Sequence, residues 1–149
     1  MSLFDTVSSD IVAAMKAKDK VKLETLRNVK KYFIEAKTAP GASDLLDDDT
    51  ALKIIQKLTK QGKDAAGIYV GQSRQDLADA ELAQVAVLES YLPKQMSPEE
   101  LEAAIKDIIS QVGATSAKDM GKVMGVATKA LAGKTEGRLI SETVKRLLN

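Results

Sequence analysis

The chain has 149 residues, enough for one domain or two small ones, and at this size roughly 68–70% of the unfolded surface is buried on folding. It contains no His and no Cys, which excludes disulfides, thiol nucleophiles, Cys/His zinc sites and any Ser-His-Asp or Cys-His triad supplied by this chain alone. Lys and Arg number 22 against 21 Asp and Glu, so the net charge of +1 announces no polyanionic partner and the distribution along the chain has to decide.

Aromatic residues make up only 3%, which leaves Leu, Ile, Val, Met and Ala to build the core, a palette that suits helices better than sheets. Leu3, Val7, Ile11 and Met15 recur every four positions after an S-x-x-D start at Ser2 and Asp5, predicting a first helix over 3–17. A second helix puts Leu23, Leu26, Val29, Phe33 and Ala36 on one face and ends before Pro40-Gly41, with a loop over 42–49. Asp47-Asp48-Asp49 then precedes Ala51, Ile55 and Leu58, where carboxylates favour a helix N-terminus, and is read as a cap in preference to a magnesium site. Gly62, Gly67 and Gly71 each cost about 1 kcal/mol relative to Ala in a helix, so this third helix is expected to weaken or bend between Gln61 and Gln72.

Ser73 with Asp76 signals a fourth helix carrying Leu82, Val85, Leu88 and Leu92, ended by Pro93. Ser97-Pro98-Glu99-Glu100 supplies a cap, a first-turn proline and a capping-box Glu for a fifth helix, with a Leu101, Ile105, Ile108, Val112 stripe and a stop at Gly113. Ser116 with Asp119 opens a sixth, whose core face is Met120, Val123, Met124, Ala127 and Leu131 and whose terminator is Gly133. The last, over 136–148, is expected to bury Leu139, Ile140, Val144 and Leu147. The expected fold is all-α: an N-terminal helical subdomain of about four helices over 1–92 and a C-terminal three-helix bundle over 97–149, joined by residues 93–96.

No apolar run approaches the ~18 residues of a membrane span, and Met1-Ser2-Leu3-Phe4-Asp5 lacks the basic-then-apolar pattern of a signal peptide. A cytoplasmic protein without a membrane partner is the expectation. Gly133-Lys134-Thr135 resembles the end of a phosphate-binding P-loop, but Thr128 stands where the first glycine is needed and no strand precedes it. No Ser sits in a G-x-S-x-G elbow, so no catalytic residue, cofactor or metal is expected.

From Gly113 onward there are 7 basic residues against 3 acidic ones. At about 100° per residue, Lys118, Lys122 and Lys129 fall within roughly 40° of one another, opposite the apolar face. Gly121 and Gly125 lie beside this stripe at a joint cost of roughly 2 kcal/mol. Something must approach that backbone closely, either a neighbouring helix, which is the first expectation, or a ligand such as a phosphate backbone. A second basic cluster over 16–37 puts Lys20, Arg27 and Lys31 on one face with Glu24 among them, which reads as a solvated surface with i,i+4 pairing.

Three stretches of the chain resemble the GatB/YqeY family: Glu81-Leu82 through Ser90-Tyr91-Leu92-Pro93-Lys94-Gln95, then Gly113 through Asp119-Met120-Gly121-Lys122-Val123-Met124-Gly125, then Gly133-Lys134-Thr135-Glu136-Gly137-Arg138. Leu26 to Lys37 and Arg74-x-Asp76-Leu77 also fit, so the similarity covers nearly the whole chain and suggests a free-standing, YqeY-like member. The resemblance implies a helical protein in two parts, related to the C-terminal, tRNA-contacting region of the B subunit of the glutamine-dependent aspartyl/glutamyl-tRNA amidotransferase. Glu136 stands where the family usually has Asp, and Gly62 where a basic residue is expected.

The resulting expectation is a tRNA-binding accessory module that presents Lys118, Lys122, Lys129, Lys134 and Arg138 to phosphates, with Gly121 and Gly125 permitting close approach. The family label of carbon-nitrogen ligase with glutamine as amido donor is not expected as an intrinsic activity. The alternative is a helical protein-interaction module that uses an apolar groove between the two parts, with a translation-related protein as partner.

Overall fold

The structure, a computed structural model, describes residues 2–42 and 45–149, so Ser43 and Asp44 of the expected loop lie outside the described residues. Seven α-helices account for most of these, with no strand among them: α1 Leu3–Ala17, α2 Lys20–Thr38, α3 Asp48–Gly71, α4 Gln75–Glu89, α5 Pro98–Val112, α6 Met120–Ala130 and α7 Gly137–Leu148. A 3-10 turn, Ala117–Asp119, precedes α6. The chain divides into two compact units, Met1–Leu92 and Pro93–Asn149.

In the N-terminal unit the caps are carboxylates and a hydroxyl. Ser2 Oγ accepts from the Asp5 N–H at 3.1 Å, Asp19 Oδ1 from Lys22 N–H at 3.1 Å and Asp47 Oδ1 from Thr50 N–H at 2.7 Å. The acidic run before α3 serves two helices, because Asp48 Oδ1 accepts the Leu3 N–H of α1 at 2.8 Å. Val7, Leu26, Val29, Phe33, Ala51, Ile55 and Leu88 form the core, and Phe4, Ile11, Tyr91 and Leu92 pack against it. Met15, expected on the core face of α1, is 52% exposed.

Where α3 was expected to weaken or bend, the helix is continuous from Asp48 to Gly71. α3 and α4 form a hairpin with only Gln72–Arg74 between them, the most extensive helix pairing among the described residues. A Cβ on Gly62 would lie 2.6 Å from Val85 Cγ2, so the missing side chain is what allows the two helices to meet here. Burial of Ala66, Ala78 and Val85 along this seam offsets the cost of glycine in the helix. No other described residue lies within 4 Å of a Cβ on Gly67 or Gly71, yet both are helical.

Ser73 is not the cap of α4. It adopts a left-handed conformation (φ +58°) and Arg74 takes the N-cap place, its guanidinium held on Asp76 by two hydrogen bonds of 3.1 and 3.0 Å. Leu82 is 45% exposed and Leu92 lies beyond the end of α4, so only Val85 and Leu88 of the expected stripe are buried within that helix.

Tyr91 closes this core by donating its hydroxyl proton to Asp10 Oδ2 of α1 at 2.5 Å. Burial, with the Asp10 carboxylate second, pushes its ionisation well above the ordinary 10.0. A group whose folded-state pKa is raised contributes stability in full below its unfolded value, and that contribution is lost as the pH rises past it. Above about pH 10 the unmodified chain should therefore lose stability more steeply than Tyr91→Phe, which urea midpoints across neutral to strongly alkaline pH will measure.

The C-terminal unit opens with the full capping box. Ser97 Oγ accepts from Glu100 N–H, and Glu100 Oε1 accepts from Ser97 N–H, both at 3.1 Å. Gly113, at φ +69°, ends α5. Leu101, Ile105, Ile108, Val123, Ala127, Leu131, Ile140, Val144 and Leu148 make a core that is aliphatic throughout. Leu139 departs from expectation at 38% exposed, and the buried C-terminal leucine is Leu148.

Candidate nucleic-acid interface

The expected cap at Ser116 is inverted. Ser116 makes no side-chain cap bond, and Asp119 points back to accept the Thr115 N–H at 3.0 Å, so α6 begins at Met120 with no capping side chain over its first turn. That backbone hydrogen bond, aided by Lys122, holds the Asp119 carboxyl below the usual range.

Lys118 thus sits in the 3-10 turn ahead of α6, outside the regular 100° spacing, whereas Lys122 and Lys129 share one exposed face of the helix. Gly121 and Gly125 lie with them: these four residues, Val126 and Ala130 line one shallow, open depression. Within the C-terminal unit no other described residue comes within 4 Å of a Cβ on either glycine, so the expected neighbouring helix is not one of that unit's own. The depression is more apolar than polar, with the exposed Val126 and Ala130 beside the two glycines, and Lys122 and Lys129 contribute its charge.

Lys134 and Arg138 are also exposed but lie outside the depression, on the turn after α6 and the first turn of α7. Arg138 pairs with Glu136 at 3.9 Å, an exposed contact worth about 0–1 kcal/mol that a stronger anion displaces readily. Among the described residues Lys118, Lys122, Lys129 and Lys134 stand in no ion pair.

The Gly133-Lys134-Thr135 turn is more strongly built than its sequence indicates. Gly133 is buried at φ +76°, a conformation that glycine adopts without strain, and Thr135 is buried beside it. Gln95 Nε2 donates to the Gly133 carbonyl at 2.8 Å and to the Pro93 carbonyl at 3.0 Å, and the Met96 N–H donates to the Lys134 carbonyl at 3.0 Å. Reading the residues one by one gave Gln95 no role; its place in the Tyr91-Leu92-Pro93-x-Gln95 stretch was the signal available.

Lys20, Arg27 and Lys31 on α2 are exposed, but Glu24 forms none of the expected i,i+4 pairs among the described residues. Basic groups of this helix engage rings instead: Lys31 lies 4.6 Å from the Tyr32 centroid, and Lys30 and Lys37 lie 5.9 and 4.4 Å from that of Phe4. No group of three or more acidic side chains among the described residues is placed to hold a metal ion. No described helix is long and apolar enough to cross a membrane.

A family model described as Yqey-like protein matches residues 4–148. Among curated proteins, the chain is similar to several named altered inheritance of mitochondria protein 41, mitochondrial. The one from Kluyveromyces lactis is 30% identical over 109 residues, covering 71% of this chain and 58% of that protein. The one from Vanderwaltozyma polyspora is 29% identical over 108 residues, with the same coverage of 71% and 58%. The Meyerozyma guilliermondii protein is 27% identical over 133 residues, 89% of this chain and 68% of that protein. Against the first two, this chain spans less than two thirds of the relative's length.

Proposed function

The chain belongs to the YqeY-like protein family, and on that premise we propose that its C-terminal unit is an RNA-binding accessory module that grips the phosphate backbone of tRNA. The observation that carries the reading is the α6 face, where Lys122 and Lys129, in no ion pair among the described residues, line a depression with two glycines whose Cβ positions would meet no other described atom of the C-terminal unit. A phosphate can approach the glycine backbone closely enough to meet Lys122 and Lys129 together, while Lys118 and the uncapped first turn add positive potential at the helix N-terminus. Lys134 and Arg138 extend the same charge along the chain. The unit contains no aromatic ring, so base–aromatic stacking plays no part and recognition rests on backbone and shape.

The proposal assigns no turnover to the chain. Carbon-nitrogen ligation with glutamine as amido donor calls for an activated nucleophile and a nucleotide site, and this sequence offers neither His, Cys nor a complete P-loop. Action in the cytoplasm is part of the proposal; the fungal relatives carry the word mitochondrial in their own names.

Filter binding of the full chain to bulk tRNA tests the reading. With about four phosphates engaged, log affinity should fall against log salt with a slope of roughly −3 to −4. A parent chain that retains no tRNA at low salt sinks the proposal and hands the function to a protein-interaction role.

A further inference from the structure

Lys134 differs from the other exposed lysines in how its backbone is held. Its N–H donates to the Leu131 carbonyl at 3.0 Å, and its carbonyl accepts from the Met96 N–H at 3.0 Å. The preceding carbonyl, on Gly133, accepts from Gln95 Nε2 at 2.8 Å. Gln95 uses its second amide proton on the Pro93 carbonyl, which fixes the side chain that does the holding. Two successive peptide carbonyls of the turn are therefore tied to residues 38 positions earlier, while the Lys134 side chain remains exposed.

We propose that Gln95 is a positioning residue for the Lys134 ammonium in the polyanion-binding face, an inference that rests on the RNA-binding reading above. A cation on a fixed backbone loses less freedom when it meets a phosphate than one on a mobile loop, so the same charge contributes more to affinity. Gln95 touches no phosphate itself. Its effect passes through the Gly133 carbonyl, where only a donor of this length and geometry serves. Arg138 is the second residue of α7, which follows the same turn.

Gln95→Met keeps length, volume and charge while removing both donors, and Gln95 is exposed, so neither core is disturbed. In filter binding to bulk tRNA, this variant of the full chain should bind roughly three- to tenfold more weakly and lose about one unit of salt slope. In a Lys134→Ala background the same change should alter affinity less than twofold, because the cation it positioned is gone. An equal loss in both backgrounds, or none in either, overturns the positioning role while leaving tRNA binding intact. A parent chain that fails to bind tRNA at low salt fells the RNA reading first and this role with it. Nitrogen-15 relaxation of the ligand-free protein supplies a second measurement: amides of Lys134 to Glu136 should become less ordered in Gln95→Met while α5 to α7 stay unchanged, and unaltered order in the turn overturns the inference.

Discussion

Replacing Lys118, Lys122 and Lys129 together by Glu should weaken tRNA binding by more than roughly a hundredfold at moderate salt, while helicity and the unfolding midpoint stay close to the parent's. Three phosphate contacts are lost and three like charges are set against the backbone, and each contact carries its own share of counterion release. The fold is indifferent because all three side chains are exposed and none is in an ion pair among the described residues. The helix dipole leaves only a small net gain: Glu is favoured at 118 and 122 near the N-terminus of α6 and disfavoured at 129 near its end. The matching change at Lys20, Arg27 and Lys31, of which Lys31 lies over the Tyr32 ring, should matter far less. Filter binding decides; unchanged retention of tRNA by the tail variant would reduce the α6 face to a solvated surface.

A single methyl group should have opposite effects at two glycines. Gly62→Ala brings its Cβ to 2.6 Å from Cγ2 of the buried Val85, closer than van der Waals contact permits, so either Val85 leaves its rotamer or α3 and α4 move apart. Overpacking of this kind costs about 1–3 kcal/mol, which exceeds the helix-propensity gain of about 1 kcal/mol. At Gly125 nothing opposes the new methyl, and Ala should stabilise α6 by about 0.5–1 kcal/mol. Urea denaturation of the two variants measures both signs. The stabilised Gly125→Ala chain should nevertheless bind tRNA no better than the parent, because the methyl stands where the phosphate is proposed to approach.

These contrasts show what was legible in the sequence. The all-α class and the capping box at Ser97 and Glu100 could be read because both are local: apolar periodicity and a cap reaching three residues on. Gly62 misled because intrinsic propensity was weighed without the partner helix, and the packing that decides its conformation comes from Val85. Ser73 and Ser116 misled differently: S-x-x-D permits a cap, but Arg74 takes Asp76 and the Thr115 N–H takes Asp119, so neither serine has its cap. The basic residue types of the candidate face were visible, whereas the link from Gln95 to Gly133 spans 38 positions and that from Asp48 to Leu3 spans 45, distances over which no periodicity speaks.

The aliphatic core of the C-terminal unit also determines how the molecule can be watched. Tyr32, Tyr69, Tyr91, Phe4 and Phe33 all lie in Met1–Leu92, and the chain has no Trp. Near-ultraviolet dichroism and intrinsic fluorescence therefore report the N-terminal unit alone, with Tyr91 as the reporter nearest the contact between α1 and the end of α4. Pro93–Asn149, where the proposed interface lies, has no aromatic reporter, so its melting is followed through backbone dichroism, nuclear resonance or calorimetry unless a chromophore is introduced.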